Sequence, residues 1–298
     1  MKTVDPTKRR EEKPMKTVAI LFVAFAVLVC TAPANAQRLL GTLYAGNTGG
    51  PSILVEINPD TGALVQTIGS VGYLVNGMTW DATTSTLYAT TSQHDANFPN
   101  GLIKINPATG ASTRVGSGAG QDVNVPACNS TGVLYGWTEA TDDLVLWNKV
   151  AGTITVFGDS GVDTAEEGLA FNTLGVLYLV NWDGIYTINT STGVGTFVGS
   201  IGRLAHHGSF RSTNNLYYGV DQTEDTSGPP RSLIVVNVAT QTVVNTIPTV
   251  DLLHTLTFVS AAPDQVIGAP TMTEWGMIIL VILLGIGSIY YLRRRVAA

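Results

Sequence analysis

The chain has 298 residues, 45% of them hydrophobic and only 13% charged, with a formal net charge of −6 at pH 7. That figure hides an uneven spread: the stretch from Gln37 to Gly276 has 7 Lys+Arg against 19 Asp+Glu, a net of −12, and the remaining basic residues sit at the two ends. A body this acidic repels phosphate backbones, which argues against nucleic acid as a partner, and its single cysteine, Cys128, leaves no intrachain disulfide and no cysteine cage for a metal.

The N-terminal stretch MKTVAILFVAFAVLVCTAPANAQ reads as a secretory signal. Lys16 precedes an apolar core from Val18 to Val29, and Ala34-Asn35-Ala36 supplies the small residues for cleavage after Ala36. MKTV occurs at Met1 and again at Met15, so the true start is either of the two. Cys30 is apolar filler of the signal core, because the bulky Val29 before it disfavours a lipidated cysteine.

Five copies of one unit follow. Aligned on Leu-Tyr they are GTLYAG (Leu43), STLYAT (Leu87), GVLYGW (Leu134), GVLYLV (Leu177) and NNLYYG (Leu216), at intervals of 44, 47, 43 and 39 residues. Each is followed by an apolar run ending in asparagine: Asn58, Asn106, Asn148, Asn189 and Asn237. Four residues later stands Gly62, Gly110, Gly152 or Gly193, with Gln241 in the last copy. An asparagine side chain can accept from its own backbone two residues on and open a turn, and glycine supplies the positive φ that sends the chain back antiparallel.

A further β-rich run follows each turn, and another precedes each Leu-Tyr: NGMTWD, NVPACN, EGLAFN and HGSFRS. Four short strands at this period form a propeller blade. The first unit lacks its upstream strand, and a surplus strand, LLHTLTFVS, follows the fifth. The expected fold is all-β: a five-bladed β-propeller over 37–260, closed by the C-terminal strand. An open six-bladed form with a partial blade is the alternative. A linker over 261–268 separates this domain from the C-terminal segment.

The residue before the repeated inner-strand segment is polar in every unit: Asn76, Asn124, Glu167, His207 and His254. Symmetry points them together at the mouth of the central channel. Two readings fit. In one, His207, His254 and Glu167 hold a divalent metal such as Zn²⁺ or Fe²⁺, with Asn76 and Asn124 lining the channel. In the other, polar side chains merely line a wet axis, and no cofactor is implied. His206 and His94 read as solvated. Trp137, Trp182 and Tyr218 offer stacking platforms for a glycan or packing between blades, whereas Trp80, Phe171, Phe210 and Phe258 share one repeat position and read as core. The longest insertion, from Gly219 to Ser232, carries Asp221, Glu224 and Asp225 without the spacing of a calcium loop. No nucleophile elbow, P-loop or dinucleotide fingerprint occurs, so no catalytic residue is assigned.

The chain ends PTMTEWGMIILVILLGIGSIYYLRRRVAA. Met277 to Leu292 is an uncharged apolar run of 16 residues, with Trp275, Tyr290 and Tyr291 at its edges and Arg293, Arg294 and Arg295 after it. Pro270, Thr271, Glu274, Trp275 and Gly276, followed by an apolar helix and a basic tail, resemble the IPTL-CTERM sorting signal over about the last 30 residues. Ala269, Met272 and Thr273 depart from that pattern. The resemblance implies a transmembrane sorting helix over 277–292 within segment 269–298. It also implies recognition by an exosortase of a Gram-negative inner membrane, and delivery of the body to the cell surface or extracellular matrix. Two functions are then expected. The first is a surface binding or interaction module for a glycan or protein ligand. The alternative is an extracellular metal-dependent lyase or hydrolase with Glu167 as ligand or general base.

Overall fold

A computed structural model describes residues 37–44, 50–164, 167–182, 184–221 and 231–260. The signal segment 1–36, the linker 261–268, the sorting segment 269–298 and residues 222–230 of the long acidic insertion lie outside the described residues. Among those described, no helix is long and apolar enough to cross a membrane.

The architecture is an all-β five-bladed propeller. Blade 2 is β4 (Val75–Asp81), β5 (Thr86–Thr91), β6 (Leu102–Ile105) and β7 (Ser112–Val115). Blade 3 is β8 (Val125–Cys128), β9 (Leu134–Thr138), β10 (Asp143–Trp147) and β11 (Ile154–Asp159). Blade 4 is β12 (Gly168–Phe171), β13 (Leu177–Val180), β14 (Ile185–Ile188) and β15 (Gly195–Gly199). Blade 5 is β16 (Ala205–Arg211), β17 (Leu216–Asp221), β18 (Ser232–Asn237) and β19 (Thr242–Pro248). Blade 1 combines β1 (Gln37–Leu43), β2 (Ile53–Ile57) and β3 (Leu64–Ser70) with β20 (Leu253–Ser260), in the order β20-β1-β2-β3. All neighbours are antiparallel, and β20 runs beside β1 from Gln37↔Ser260 to Leu43↔Leu253.

The repeated asparagine turns form as their chemistry dictates. Asn58 Oδ1 accepts from the backbone N–H of Asp60 at 2.9 Å and of Thr61 at 3.1 Å, and Asn148 Oδ1 does the same for Val150 and Ala151 at 3.0 Å. Gly62 and Gly152 then adopt φ of +71° and +68°. At Gly152 a Cβ would also lie 1.9 Å from the Val115 carbonyl oxygen of the neighbouring blade, so the position serves both turn and blade packing. Gln241 takes the same left-handed conformation in the fifth copy, at φ +51°.

Each sheet is covered on both faces. Five apolar clusters occupy the five blade-to-blade interfaces. One of them joins Leu39, Val55 and Phe258 of blade 1 to Tyr218, Val220 and Leu233 of blade 5. Inner and middle strands therefore read as buried runs, whereas outermost strands such as β3 and β15 are largely exposed. The inner strands β20, β4, β8, β12 and β16 touch in succession around the axis, with β16 against β20.

Three of those inner strands break register near their first residues. The shift falls between Val75 and Gly77 in β4, between His206 and Ser209 in β16, and at His254 in β20. A bulge inserts an extra residue and turns side chains that the pleat would have alternated. In β16 it is locked from within the sheet. The Tyr217 hydroxyl accepts from Gly208 N at 2.8 Å and donates to Ala205 O at 3.2 Å. A Cβ at Gly208 would meet the Tyr218 carbonyl oxygen at 2.2 Å, so only glycine fits there.

Candidate functional site

The bulges aim polar side chains into a cavity of about 260 Å³ at one end of the axis. Asn76, Asn124, His207 and His254, four of the five residues expected at the mouth, line it. The fifth does not: Glu167 is fully buried and stands outside the lining. Tyr44, Asp122, Glu139 and His206 join the wall.

His206 corrects the sequence reading. It is not solvated but 5% exposed, with its ring stacked on that of His207 at 3.4 Å between centroids. In a regular strand, neighbours point to opposite faces. The bulge, with His207 at φ +40°, puts both rings on the axial side. His207 and His254 rings meet edge-on at 4.8 Å, and His254 stacks on Tyr44 at 4.5 Å. The ligand atoms of His206, His207 and His254 all lie within 4.8 Å of one another. Among the described residues no well-formed hydrogen bond reaches either ring nitrogen of His207 or His254 Nδ1, although the His254 backbone lies close enough to favour a proton on His207. His94 is exposed at the rim, as expected of a solvated residue.

Burial sets the charge of these groups. It holds His206 and His207 well below the ordinary imidazole range, reinforced for each by a neighbouring histidine. Burial and the nearby Arg231 bring His254 down to about 4. All three are uncharged at pH 7. Burial pushes Glu167 up to about 8, helped by the Glu139 and Asp142 charges and opposed only weakly by its own backbone N–H and the Asn124 amide. Asp122 rises to about 6 through burial and the Glu139 charge.

The opposite wall is a chain of hydrogen bonds. Asn76 Nδ2 donates to Asn124 Oδ1 at 2.8 Å, and Asn124 Nδ2 donates to Glu139 Oε2 at 2.7 Å. It links blades 2 and 3 across the mouth. The loop above it is shaped by the buried Asp95, which accepts from Leu74 N at 2.6 Å and from Phe98 N at 2.8 Å.

Of the aromatic platforms, Trp137 and Tyr218 are buried between blades, and Trp137 Nε1 donates to Thr164 Oγ1 at 3.0 Å. Trp182 alone of the three is exposed, at 64%. Phe210 and Phe258 are core. Trp80 and Phe171 are half-buried and line a second cavity of about 120 Å³, together with Cys128, Ser209, Thr257 and Phe258. These residues come from the C-terminal halves of the same inner strands. Burial, with the nearby Asp81, pushes the Cys128 thiol up to about 12, which makes it inert.

His206, Asp122 and Glu139 were not singled out for the site from sequence. Only the His-His-Gly triplet signals the first, as a bulge with glycine at its tight point. The two acids come from loops whose course the repeat does not dictate.

No family model matches the chain, and none of the curated proteins does. Among solved structures, a chain of the nidogen/laminin complex is similar over 75% of this chain and 98% of its own, at 13% identity and a TM-score of 0.51. A protein of unknown function from Bacteroides caccae is similar over 75% and 98%, at 12% identity and a TM-score of 0.47. What the chain shares with the first of these is a fold, a β-propeller-like repeat.

Proposed function

We propose that this chain is an exported surface β-propeller acting as an interaction module, which takes a small hydrogen-bonding group of a glycan or protein ligand into its axial cavity. The observation that carries the reading is the chemistry of the cavity wall: among the described residues it is made of amides, carboxyl groups and imidazoles on a rigid scaffold, with the Tyr44 ring beside them. The reading includes a ring latched by its C-terminal strand, which the pairing of β20 with β1 supports. Export rests on the leader ending at Ala34 and Ala36, and sorting on Pro270, Thr271, Glu274, Trp275 and Gly276 ahead of the apolar run.

Intact-mass analysis in a host with an exosortase tests the address. A chain starting at Gln37 and lacking its basic tail is expected, and Trp275→Ala should hold it at the inner membrane. Full-length protein recovered from the cytoplasm would overturn export. A glycan array tests the module: Asn124→Ala and Glu139→Ala should each weaken the bound species at least about tenfold, the loss of one charge-assisted hydrogen bond. Binding that ignores both changes removes the axial cavity as the recognition site.

A second reading is an extracellular metal-dependent lyase or hydrolase. One observation favours it: three uncharged imidazoles on the wall of a water-accessible cavity. It requires polysaccharide or peptide turnover that stops on chelation and returns with added metal.

A further inference from the structure

We propose that His206, His207 and His254 together bind one divalent first-row transition ion, with a further coordination position open to the axial cavity. Each ring offers a nitrogen, and these atoms lie within 4.8 Å of one another. Tetrahedral zinc with bonds of about 2.0–2.1 Å holds its nitrogens roughly 3.4 Å apart. The rings therefore draw together on binding, a movement that χ rotations supply.

A second observation points the same way. His207 is 4% exposed, and among the described residues no well-formed hydrogen bond reaches its ring nitrogens or Nδ1 of His254, the His254 backbone being the one polar group close enough to favour a proton on His207. Buried polar atoms in native proteins are almost always paired, so an orphaned imidazole beside two others needs an account. A bound ion takes up the one lone pair that each neutral imidazole carries, and leaves the other ring nitrogen as an N–H donor. The backbone is also committed to this arrangement. His207 is held at φ +40° by a bulge that the Tyr217 hydroxyl and Gly208 lock in place. Left-handed conformations of this kind persist where the surroundings over-determine them, and they gather at functional sites.

The donor set names the class of ion. Three imidazole nitrogens with no thiolate suit Zn²⁺, Cu²⁺, Ni²⁺ or Fe²⁺ and do not suit Ca²⁺ or Mg²⁺. Three protein ligands leave a position for water or a ligand atom, the pattern of an open site. The Asn76–Asn124–Glu139 chain lines the same cavity, where it can orient whatever occupies that position. Glu167 is not a member: its carboxylate falls outside the cluster and outside the cavity lining. The inference is independent of the interaction-module reading, since an ion can bind here whether or not a glycan or protein does.

The test uses the untagged full chain, stripped with a chelator and dialysed against micromolar Zn²⁺. About one zinc per chain is expected by elemental analysis. His206→Gln and His254→Gln should each weaken binding by at least about a hundredfold, more than the loss of an outer hydrogen bond to a ligand, and Glu167→Gln should bind as the parent does. Zinc well below one per chain overturns the proposal, and so does unchanged binding when all three histidines are replaced. Circular dichroism checks the variants. Should they fail to fold, Co²⁺ on the parent chain decides: an intense visible spectrum that shifts with added azide supports an open nitrogen site, and the pale spectrum of the aqueous ion overturns it.

Discussion

The two ends of the axial channel are built from the same five inner strands, yet they obey different rules. At the end formed by the C-terminal halves the strands are regular. Phe258, 5% exposed, packs edge-on against Tyr218 at 5.1 Å, and Trp80 Nε1 donates to Ser260 Oγ at 2.9 Å. The charged group there is satisfied: Asp81, with its side chain fully buried, accepts from Lys149 Nζ at 2.7 Å and from Thr83 and Thr84. At the other end three of the five strands bulge, His207 takes a positive φ, and the Glu167 carboxyl and the His207 ring are buried. One end conforms to stability and the other departs from it. Such departures concentrate where a protein meets its ligand.

Substitutions sharpen or break that contrast. Phe258→Ala at the apolar end should cost about 3–5 kcal/mol, the transfer and cavity cost of a core aromatic, read by chemical denaturation. A cost under about 1 kcal/mol would mean that end is not core. Glu167→Gln at the polar end should stabilise the fold. The sign follows from linkage: with a folded pKa raised from 4.5 to about 8, the carboxyl contributes fully below pH 4.5, and that contribution is lost as pH rises toward 8. The amide removes the loss, so the variant gains on the order of a few kcal/mol at pH 8 and almost nothing at pH 4. Equal stability curves across that range would refute the buried carboxyl.

The smallest effect belongs to the satisfied charge. Burial alone would raise Asp81, but the hydrogen bonds from Lys149, Thr83 and Thr84 prevail and bring it from 3.8 to about 2. That lowered value contributes stability above pH 4 and loses it between about 4 and 2. Lys149→Met should cost about 2 kcal/mol at pH 7 and flatten this acid limb. Unfolding curves at pH 2.5 and 7 that keep their spacing in the variant would show the pair is inconsequential.

The propeller was legible in the sequence because its information is local and repeated. Asn58 and Gly62 specify a turn within five residues, and four near-copies of that turn remove the ambiguity of any one. The site was legible only in part. Asn76, Asn124, His207 and His254 came from aligning repeats, which works where blades are equivalent. Glu167 occupies the aligned position, but its carboxyl is buried outside the cavity lining. His206 was missed because alternation along a strand puts it on the face opposite His207, and alternation fails at a bulge.

By itself the sequence determined the strand content, the five-fold repeat, the turn chemistry and the residues offered to the axis, since each depends on contacts within a few positions. Only the tertiary structure decided which of those residues meet. Bringing His206 and His207 beside His254 requires blade 5 to lie against blade 1, nearly fifty residues apart in the chain. It also requires a register shift that the Tyr217 hydroxyl stabilises from the next strand. A bulge held by a neighbouring strand is a long-range contact, and no pattern within one strand encodes it.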